Sequence, residues 1–265
     1  MANYYDSNKA TVAKSKGFML GNQEQHFPSE GLYLGDLTGG SITLPALYDL
    51  NSGKGLCFLY NNEHSQRQAN ACLERLACRI ALTVPSHLCD LVIYNGGDPS
   101  NAFMVHSRMN KHIMGNRNER IFFDGNLDAF RELLNEAYAS VIERMSSIRL
   151  AGKRDLVELN ESLGNDARLK YQFFILADFP GFMNMDAINR LTQIVEAGSK
   201  AGVFVLMSFD MRANIVDAYS SAPFNPQRLL SNMQVLVPQG NSFSFRNSGH
   251  DEVINRFNYV PGAPD

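Results

Sequence analysis

Four uninterrupted apolar runs of strand length are spaced along the chain, at 55–60, 91–94, 173–177 and 203–207. A shorter strand is predicted at 120–123. Strands that are apolar on both faces and separated by helices are typical of a parallel sheet that is covered on both sides. The pattern therefore predicts an α/β fold in which right-handed crossovers connect the strands.

Three amphipathic segments alternate with these strands and predict helices on both faces of the sheet. Their apolar stripes lie within 69–80, 127–148 and 188–195. The first helix follows a polar loop, Asn61 to Ser65, and Ser65 with Gln68 three residues later has the spacing of a capping box. We therefore expect Ser65 to be the N-cap of this helix.

The two ends of the chain differ from this alternating centre. Residues 1–30 are polar and without periodicity, which indicates an arm, whereas the glycine-flanked apolar runs at 31–35 and 41–45 predict a β-hairpin. We expect one α/β domain at 31–219 that includes this small N-terminal β extension. A C-terminal extension at 220–265 is expected to add one or two edge strands, at 233–237 and 242–246, to the same domain.

Composition narrows the class of protein. The chain has 265 residues, of which 45% are hydrophobic and 19% charged, so it is neither disordered nor fibrous. Its net charge of −3 gives no overall basic field for nucleic acid or an anionic membrane. The N-terminus lacks a signal-peptide pattern, and the four cysteines lie in apolar runs without C-x-x-C spacing. We expect buried, reduced thiols and a cytoplasmic protein.

The candidate site follows from the predicted sheet, because ligands of parallel α/β sheets bind at the carboxyl ends of the strands. That rule selects 61–67, 95–98, Asp178 and Ser208. The strand, loop and helix at 56–80 are the right context for a phosphate-binding loop of the type G-x-x-x-x-G-K-[ST]. The residues do not match, since Gln66 stands near the lysine position and Arg67 near the hydroxyl position.

Asp178 ends an apolar strand, where a magnesium-binding carboxylate is expected. The next residue, where a hydrolase carries the acid that activates water, is Phe179. Without that acid and the lysine, neither the positioning nor the charge neutralisation of a γ-phosphate is provided. A cap for the following helix is the alternative role for Asp178.

Other chemistries have less support. The six histidines are scattered without zinc-ligand spacing. A basic cluster that includes Arg108, Lys111 and Arg117 is either a solvated polar face or a contact for the backbone of nucleic acid.

Three segments occur in an order that is specific to one family. They are Arg144-Met145 with Leu-Ala-Gly-Lys-Arg-Asp-Leu-Val-Glu-Leu-Asn at 150–160, the strand and turn at 173–182, and the helix and strand at 195–208. Together they resemble the FtsK/SpoIIIE branch of the HerA–FtsK motor ATPases over about residues 31–212. The resemblance implies a bacterial P-loop NTPase (RecA/FtsK-like) core, as in the tandem-domain motors of type VII secretion.

The departures from that family all affect chemistry. They are Gln66 for the lysine, Arg67 for its hydroxyl neighbour, Phe179 for the acid, Ser208-Phe209 for the Thr-Gln sensor pair and Asn95-Gly96-Gly97 for Asp-Pro-Lys. The resemblance therefore implies a degenerate ATPase domain without intrinsic hydrolysis. It would act as a structural or regulatory module of a multi-domain or oligomeric translocation machine, and its partners would be other ATPase domains, further copies or another protein.

In this interpretation no catalytic residue is intact and no cofactor is required. A vestigial site for ATP and Mg²⁺ would comprise Asn62, Ser65, Gln66, Arg67, Asp178 and Ser208, with Asp178 as the metal ligand. Asn61 and Asn62 are residues that tolerate the left-handed backbone that glycines usually provide.

Two alternatives stay open. One is an active or partner-activated ATPase that drives DNA or protein translocation, with arginines supplied by a neighbouring subunit. The other is a DNA-binding module without turnover, which would rely on the basic cluster and on a second one at 149–154.

Overall fold

The computed structural model describes residues 32–84, 87–96, 119–123, 127–181, 183–213, 224–246 and 258–261. The predicted arm at 1–30 lies outside these residues. So do Arg108, Lys111 and Arg117, the predicted nucleic-acid contacts.

Ten strands form one sheet within this part of the chain. They are β1 (Leu32–Gly39), β2 (Ile42–Tyr48), β3 (Gly55–Tyr60), β4 (Cys89–Asn95), β5 (Glu119–Phe123), β6 (Tyr171–Phe179), β7 (Val203–Asp210), β8 (Met233–Gln239), β9 (Ser242–Arg246) and β10 (Asn258–Pro261). All four uninterrupted apolar runs are strands, and so is the shorter run at 120–123. The short strand β10 has no counterpart in the sequence prediction.

Within the described ranges, five α-helices connect or cover these strands. They are α1 (Glu63–Thr83), α2 (Leu127–Leu150), α3 (Leu156–Ser162), α4 (Met185–Ala197) and α5 (Gln227–Leu230). Helix α1 begins three residues earlier than predicted. Its N-cap is Asn62, whose side chain accepts from the Ser65 N–H while the Ser65 hydroxyl accepts from the Asn62 N–H. The predicted capping box of Ser65 and Gln68 is wrong, because Ser65 is the third residue of the helix rather than its cap.

The sheet has a parallel half and an antiparallel half. Its order is β2-β1-β10-β9-β8-β3-β7-β6-β4-β5, and the six strands from β8 to β5 are mutually parallel. The remaining strands pair antiparallel, including the predicted N-terminal hairpin of β1 and β2. This arrangement confirms the predicted α/β class with a parallel core and an N-terminal β extension.

The two C-terminal strands differ in position from the expectation. Strands β8 and β9 were expected at the edge, but they lie inside the ten-stranded sheet because β10 and the β1–β2 hairpin continue it beyond them. The predicted domain boundaries, 31–219 and 220–265, stay a prediction.

Hydrophobic side chains are buried on both faces of the parallel strands. In β6, Phe173 and Ile175 pack on the side of α1 and α3, and the alternate residues Phe174 and Leu176 pack on the side of α2, α4 and α5. This alternation explains the uninterrupted apolar runs, because a strand with helices on both sides has no polar face.

The four cysteines are buried free thiols, and burial raises the pKa of Cys72 to about 12. None of the helices in the described ranges is long and apolar enough to cross a membrane.

Candidate functional site

The parallel strands β3, β4, β6 and β7 bring their carboxyl ends to one edge of the sheet, as the sequence predicts. Tyr60 ends β3 and pairs with Asp210 of β7, while Asn95 ends β4 and pairs with Ala177 of β6. Asp178 follows Ala177 and is only 7% exposed. The edge therefore collects polar groups where the apolar strands stop.

Asp178, Asn70 and Ser208 form a closed ring of hydrogen bonds at this edge. The Asn70 Nδ2 donates to Asp178 Oδ1 and Oδ2, at 3.0 and 3.1 Å. The Ser208 hydroxyl donates to Asn70 Oδ1 at 2.6 Å and accepts from the Asp178 backbone N–H at 2.8 Å. All three residues are buried, so each bond replaces one that water would otherwise supply.

Two further side chains complete what we call the Asp178 network (Tyr60, Gln66, Asn70, Asp178 and Ser208). Gln66 Nε2 donates to Asp178 Oδ1 at 2.9 Å, which ties the second turn of α1 to the end of β6. Burial raises the pKa of Tyr60 above its ordinary value, and the charge of Asp178 and a hydrogen bond to it act in the same direction. The donors around the Asp178 carboxylate are thus amide and phenol groups.

The backbone at Asp178 is unusual. Its φ is 56°, and among the described residues other than glycine it alone has a positive φ. The turn that follows packs against the end of β4, where a Cβ on Gly181 would lie 2.7 Å from the Gly96 Cα. The next helix, α4, is capped by Asn184. The alternative in which Asp178 caps this helix is therefore wrong.

The connection between β3 and α1 is two residues long, Asn61 and Asn62. Its backbone donors have acceptors within the same segment. The N–H groups of Asn61 and Asn62 donate to Ser65 Oγ at 3.2 and 3.3 Å. The Ser65 N–H donates to Asn62 Oδ1 at 2.9 Å, and the Gln66 N–H donates to the Asn62 carbonyl at 2.9 Å.

Asn62 is also extended, with a φ of −155°, so it does not supply the predicted left-handed turn. A phosphate-binding loop needs a longer glycine-containing segment whose N–H groups point at the ligand. Here the N–H groups of Asn61, Asn62 and Ser65 are already bonded to side chains within the segment.

The predicted site residues thus divide into three groups. Gln66, Asp178 and Ser208 are brought into contact, Asn62 and Ser65 form the helix cap, and Arg67 lies exposed on α1. No cluster of three or more His, Cys, Asp or Glu side chains that could hold a metal ion occurs in the described ranges. Since the Asp178 carboxylate accepts amide donors and the loop donors are bonded internally, these residues are a poor fit for ATP with Mg²⁺.

Two members of the network, Asn70 and Tyr60, are absent from the sequence prediction. Asn70 is a polar residue on the apolar stripe of α1, four residues after Gln66 and therefore on the same helical face. It is 3% exposed. A buried polar position on an otherwise apolar helical face was the available signal. Tyr60 gave no such signal, because a tyrosine at the end of an apolar strand is ordinary core material.

Several solved structures of secretion ATPases and of a conjugation coupling protein share the fold of this chain. It superimposes on Thermomonospora curvata EccC, ATPases 2 and 3, in complex with a signal sequence peptide, with a TM-score of 0.62 at 11% identity, over 88% of this chain and 42% of that one. The chain has the fold of the FtsK/SpoIIIE-type P-loop ATPases. The family resemblance read from the sequence is thereby confirmed at the level of the fold.

Two other solved structures give the same result. EssC, ATPases 2 and 3, from Geobacillus thermodenitrificans matches with a TM-score of 0.57 at 12% identity, over 82% of this chain and 39% of that one. The pCW3 conjugation coupling protein TcpA, in a monomer form with ATPγS, matches with a TM-score of 0.52 at 9% identity, over 83% and 58%. This chain therefore spans less than half of the EccC and EssC chains. No family model and no curated protein sequence matches it.

Proposed function

We propose that this chain is a non-hydrolysing P-loop-fold module of a translocation machine, which acts through contacts with other ATPase domains or with further copies. The observation that carries the proposal is the two-residue connection between β3 and α1, whose N–H donors are bonded to Asn62 and Ser65. In a motor ATPase these donors would hold the phosphates of ATP.

The charges near this connection support the same conclusion. ATP brings several negative charges, and phosphoryl transfer requires cations to neutralise them. Gln66 offers a neutral amide, and that amide is hydrogen-bonded to Asp178. Glu63 is exposed in the first turn of α1, where its carboxylate would repel a phosphate.

The role in a translocation machine is proposed from the structural neighbours. Two of them are chains that contain ATPases 2 and 3 of EccC or EssC, and a third is a conjugation coupling protein. A P-loop-fold domain beside active domains can serve assembly or regulation without binding nucleotide. The alternative is an active translocase completed by a partner's arginines, and the Asp178 carboxylate at the end of β6 is the feature that it would use.

The experiment is a comparison of thermal unfolding with and without Mg²⁺–ATP and Mg²⁺–ATPγS, together with a phosphate-release assay. A nucleotide present at 100 times its Kd would stabilise the folded chain by about 2.7 kcal/mol. We expect no shift in Tm and no phosphate release. The variant Gln66→Lys restores only the lysine, so we expect no nucleotide binding from it either, because the backbone donors stay bonded.

Asp178→Ala is the control variant for any shift in Tm or any phosphate release that Mg²⁺–ATP produces. Stabilisation of the wild-type chain by Mg²⁺–ATP that disappears in Asp178→Ala would refute the proposal. Phosphate release with the same dependence would establish the active alternative.

A further inference from the structure

A polar groove lies between α2 and α4, on the face of the sheet that carries α2, α4 and α5. Its volume is about 370 Å³, and its walls are Arg131 and Asn135 of α2 and Asp186, Asn189, Arg190 and Gln193 of α4. Beneath it, Leu134, Ala187 and Leu191 are buried in the core between these helices and the sheet. The groove is therefore lined by polar side chains, and the hydrophobic core lies directly beneath it.

Arg190 is held in place from three sides. Its Nε donates to Asn135 Oδ1 and its Nη1 to Gln193 Oε1, both at 2.9 Å. Its guanidinium carbon lies 4.4 Å from the ring centroid of Tyr138. In the described part of the chain, no acceptor contacts its Nη2. A guanidinium fixed in this way loses little conformational freedom when it binds a carboxylate.

The other charges at the groove leave room for an anionic ligand. Arg131 is paired with Asp128 at 3.0 Å, but the Asp128 side chain is 89% exposed, and exposed pairs contribute little and exchange readily. Asp186 is the carboxylate in the groove wall, against the two arginines. A ligand carboxylate would therefore bind Nη2 of Arg190 and displace the exposed Asp128 from Arg131.

We propose that this groove, the α2–α4 groove, binds a short acidic segment of a partner protein. The choice of a polypeptide rests on the proposed function, and the choice of an acidic one rests on the two arginines. The amides of Asn135, Asn189 and Gln193 offer donors and acceptors that match the N–H and C=O groups of an extended peptide. Nucleic acid is disfavoured, because binding its backbone requires many more cationic side chains than these two.

The test uses a display library of short random peptides, selected on the wild-type chain and on the double variant Arg131→Gln/Arg190→Gln. We expect peptides rich in Asp and Glu from the wild type and not from the variant. A synthetic copy of the best acidic peptide should lose about tenfold or more in affinity when either arginine is replaced, measured by fluorescence anisotropy. Replacing its Asp and Glu residues by Asn and Gln should have the same effect.

Arg154→Gln is the matched control, since Arg154 is an exposed arginine paired with Glu158 outside the groove, and its peptide affinity should stay at the wild-type value. Thermal unfolding of each variant verifies the fold, and Arg131→Gln alone suffices if Arg190→Gln does not fold.

Selected peptides without acidic enrichment, or acidic peptides that bind equally to the double variant, would refute the proposal. Inorganic phosphate that binds through both arginines while no peptide does would replace it with a small-anion site. Mg²⁺–ATP binding by the same samples would refute the proposed function and leave the peptide result standing.

Discussion

The Asp178 network and the α2–α4 groove use similar side chains in opposite ways. In the network, the amides of Gln66 and Asn70 are turned inward and donate to a buried carboxylate. In the groove, the amides of Asn135 and Gln193 support a guanidinium at the surface. The amides at the carboxyl ends of the parallel strands are thus used inside the fold, whereas those between α2 and α4 position a charged group at the surface.

The largest expected effect comes from the turn that closes the network. Gly181→Ala should lower the free energy of unfolding by about 3 kcal/mol or more, because φ is 54° and the new Cβ would lie 2.7 Å from the Gly96 Cα. The control Gly152→Ala has a similar φ of 65° and nothing within 4 Å of the new Cβ. It should cost only about 1 kcal/mol. Equal losses in urea unfolding would show that the close approach to Gly96 contributes nothing.

A second prediction compares one asparagine from each region. Asn70→Ala removes a donor from the Asp178 carboxylate and the acceptor of the Ser208 hydroxyl, both buried, and should cost about 2–3 kcal/mol. Asn135→Ala removes an exposed acceptor of Arg190 and should cost less than about 1 kcal/mol. Chemical denaturation measures both. An Asn135 variant as unstable as the Asn70 variant would remove the contrast between the two regions.

The smallest effect is a loss of stability at alkaline pH. The pKa of Tyr60 is raised in the folded chain, so its contribution is complete below the unfolded value of about 10 and is lost as pH rises above that value. The loss due to Tyr60 should be about 1.4 kcal/mol per pH unit, and Tyr60→Phe should lack this part while the loss due to Tyr171 remains. Urea midpoints at increasing pH above about 10 measure the difference.

Tyr171→Phe provides the comparison, since burial raises the pKa of Tyr171 to about 12 at the opposite end of β6. This variant should retain the contribution of Tyr60. Identical pH dependence in wild type and Tyr60→Phe would contradict the assignment of this effect to Tyr60.

The parallel core was predictable from the sequence because burial on both faces leaves an unbroken apolar run, as at Phe173–Ala177 in β6. The position of β10 was not, since four residues carry too little pattern to specify a strand. Among the site residues, Gln66, Asp178 and Ser208 were predictable because the ends of parallel strands converge. Asn70 was not predicted, because its partners Asp178 and Ser208 are distant in sequence and only the fold brings them to the apolar face of α1.

The cap of α1 shows a different difficulty. Asn62 and Ser65 are both good N-cap residues, and the choice between them depends on where β3 ends. That point follows from the pairing of Tyr60 with Asp210 across the sheet, which is a contact between residues distant in sequence. Local sequence patterns do not contain this information.

The shortness of the link between β3 and α1 also constrains how this chain can change over evolutionary time. A point substitution at Gln66 or Phe179 exchanges one side chain for another, but it adds no peptide units to Asn61 and Asn62. Under the proposed function, a phosphate-binding loop would need an insertion here as well as release of the donors that Ser65 and Asn62 hold. Point substitutions alone would therefore not bring nucleotide chemistry to this edge of the sheet.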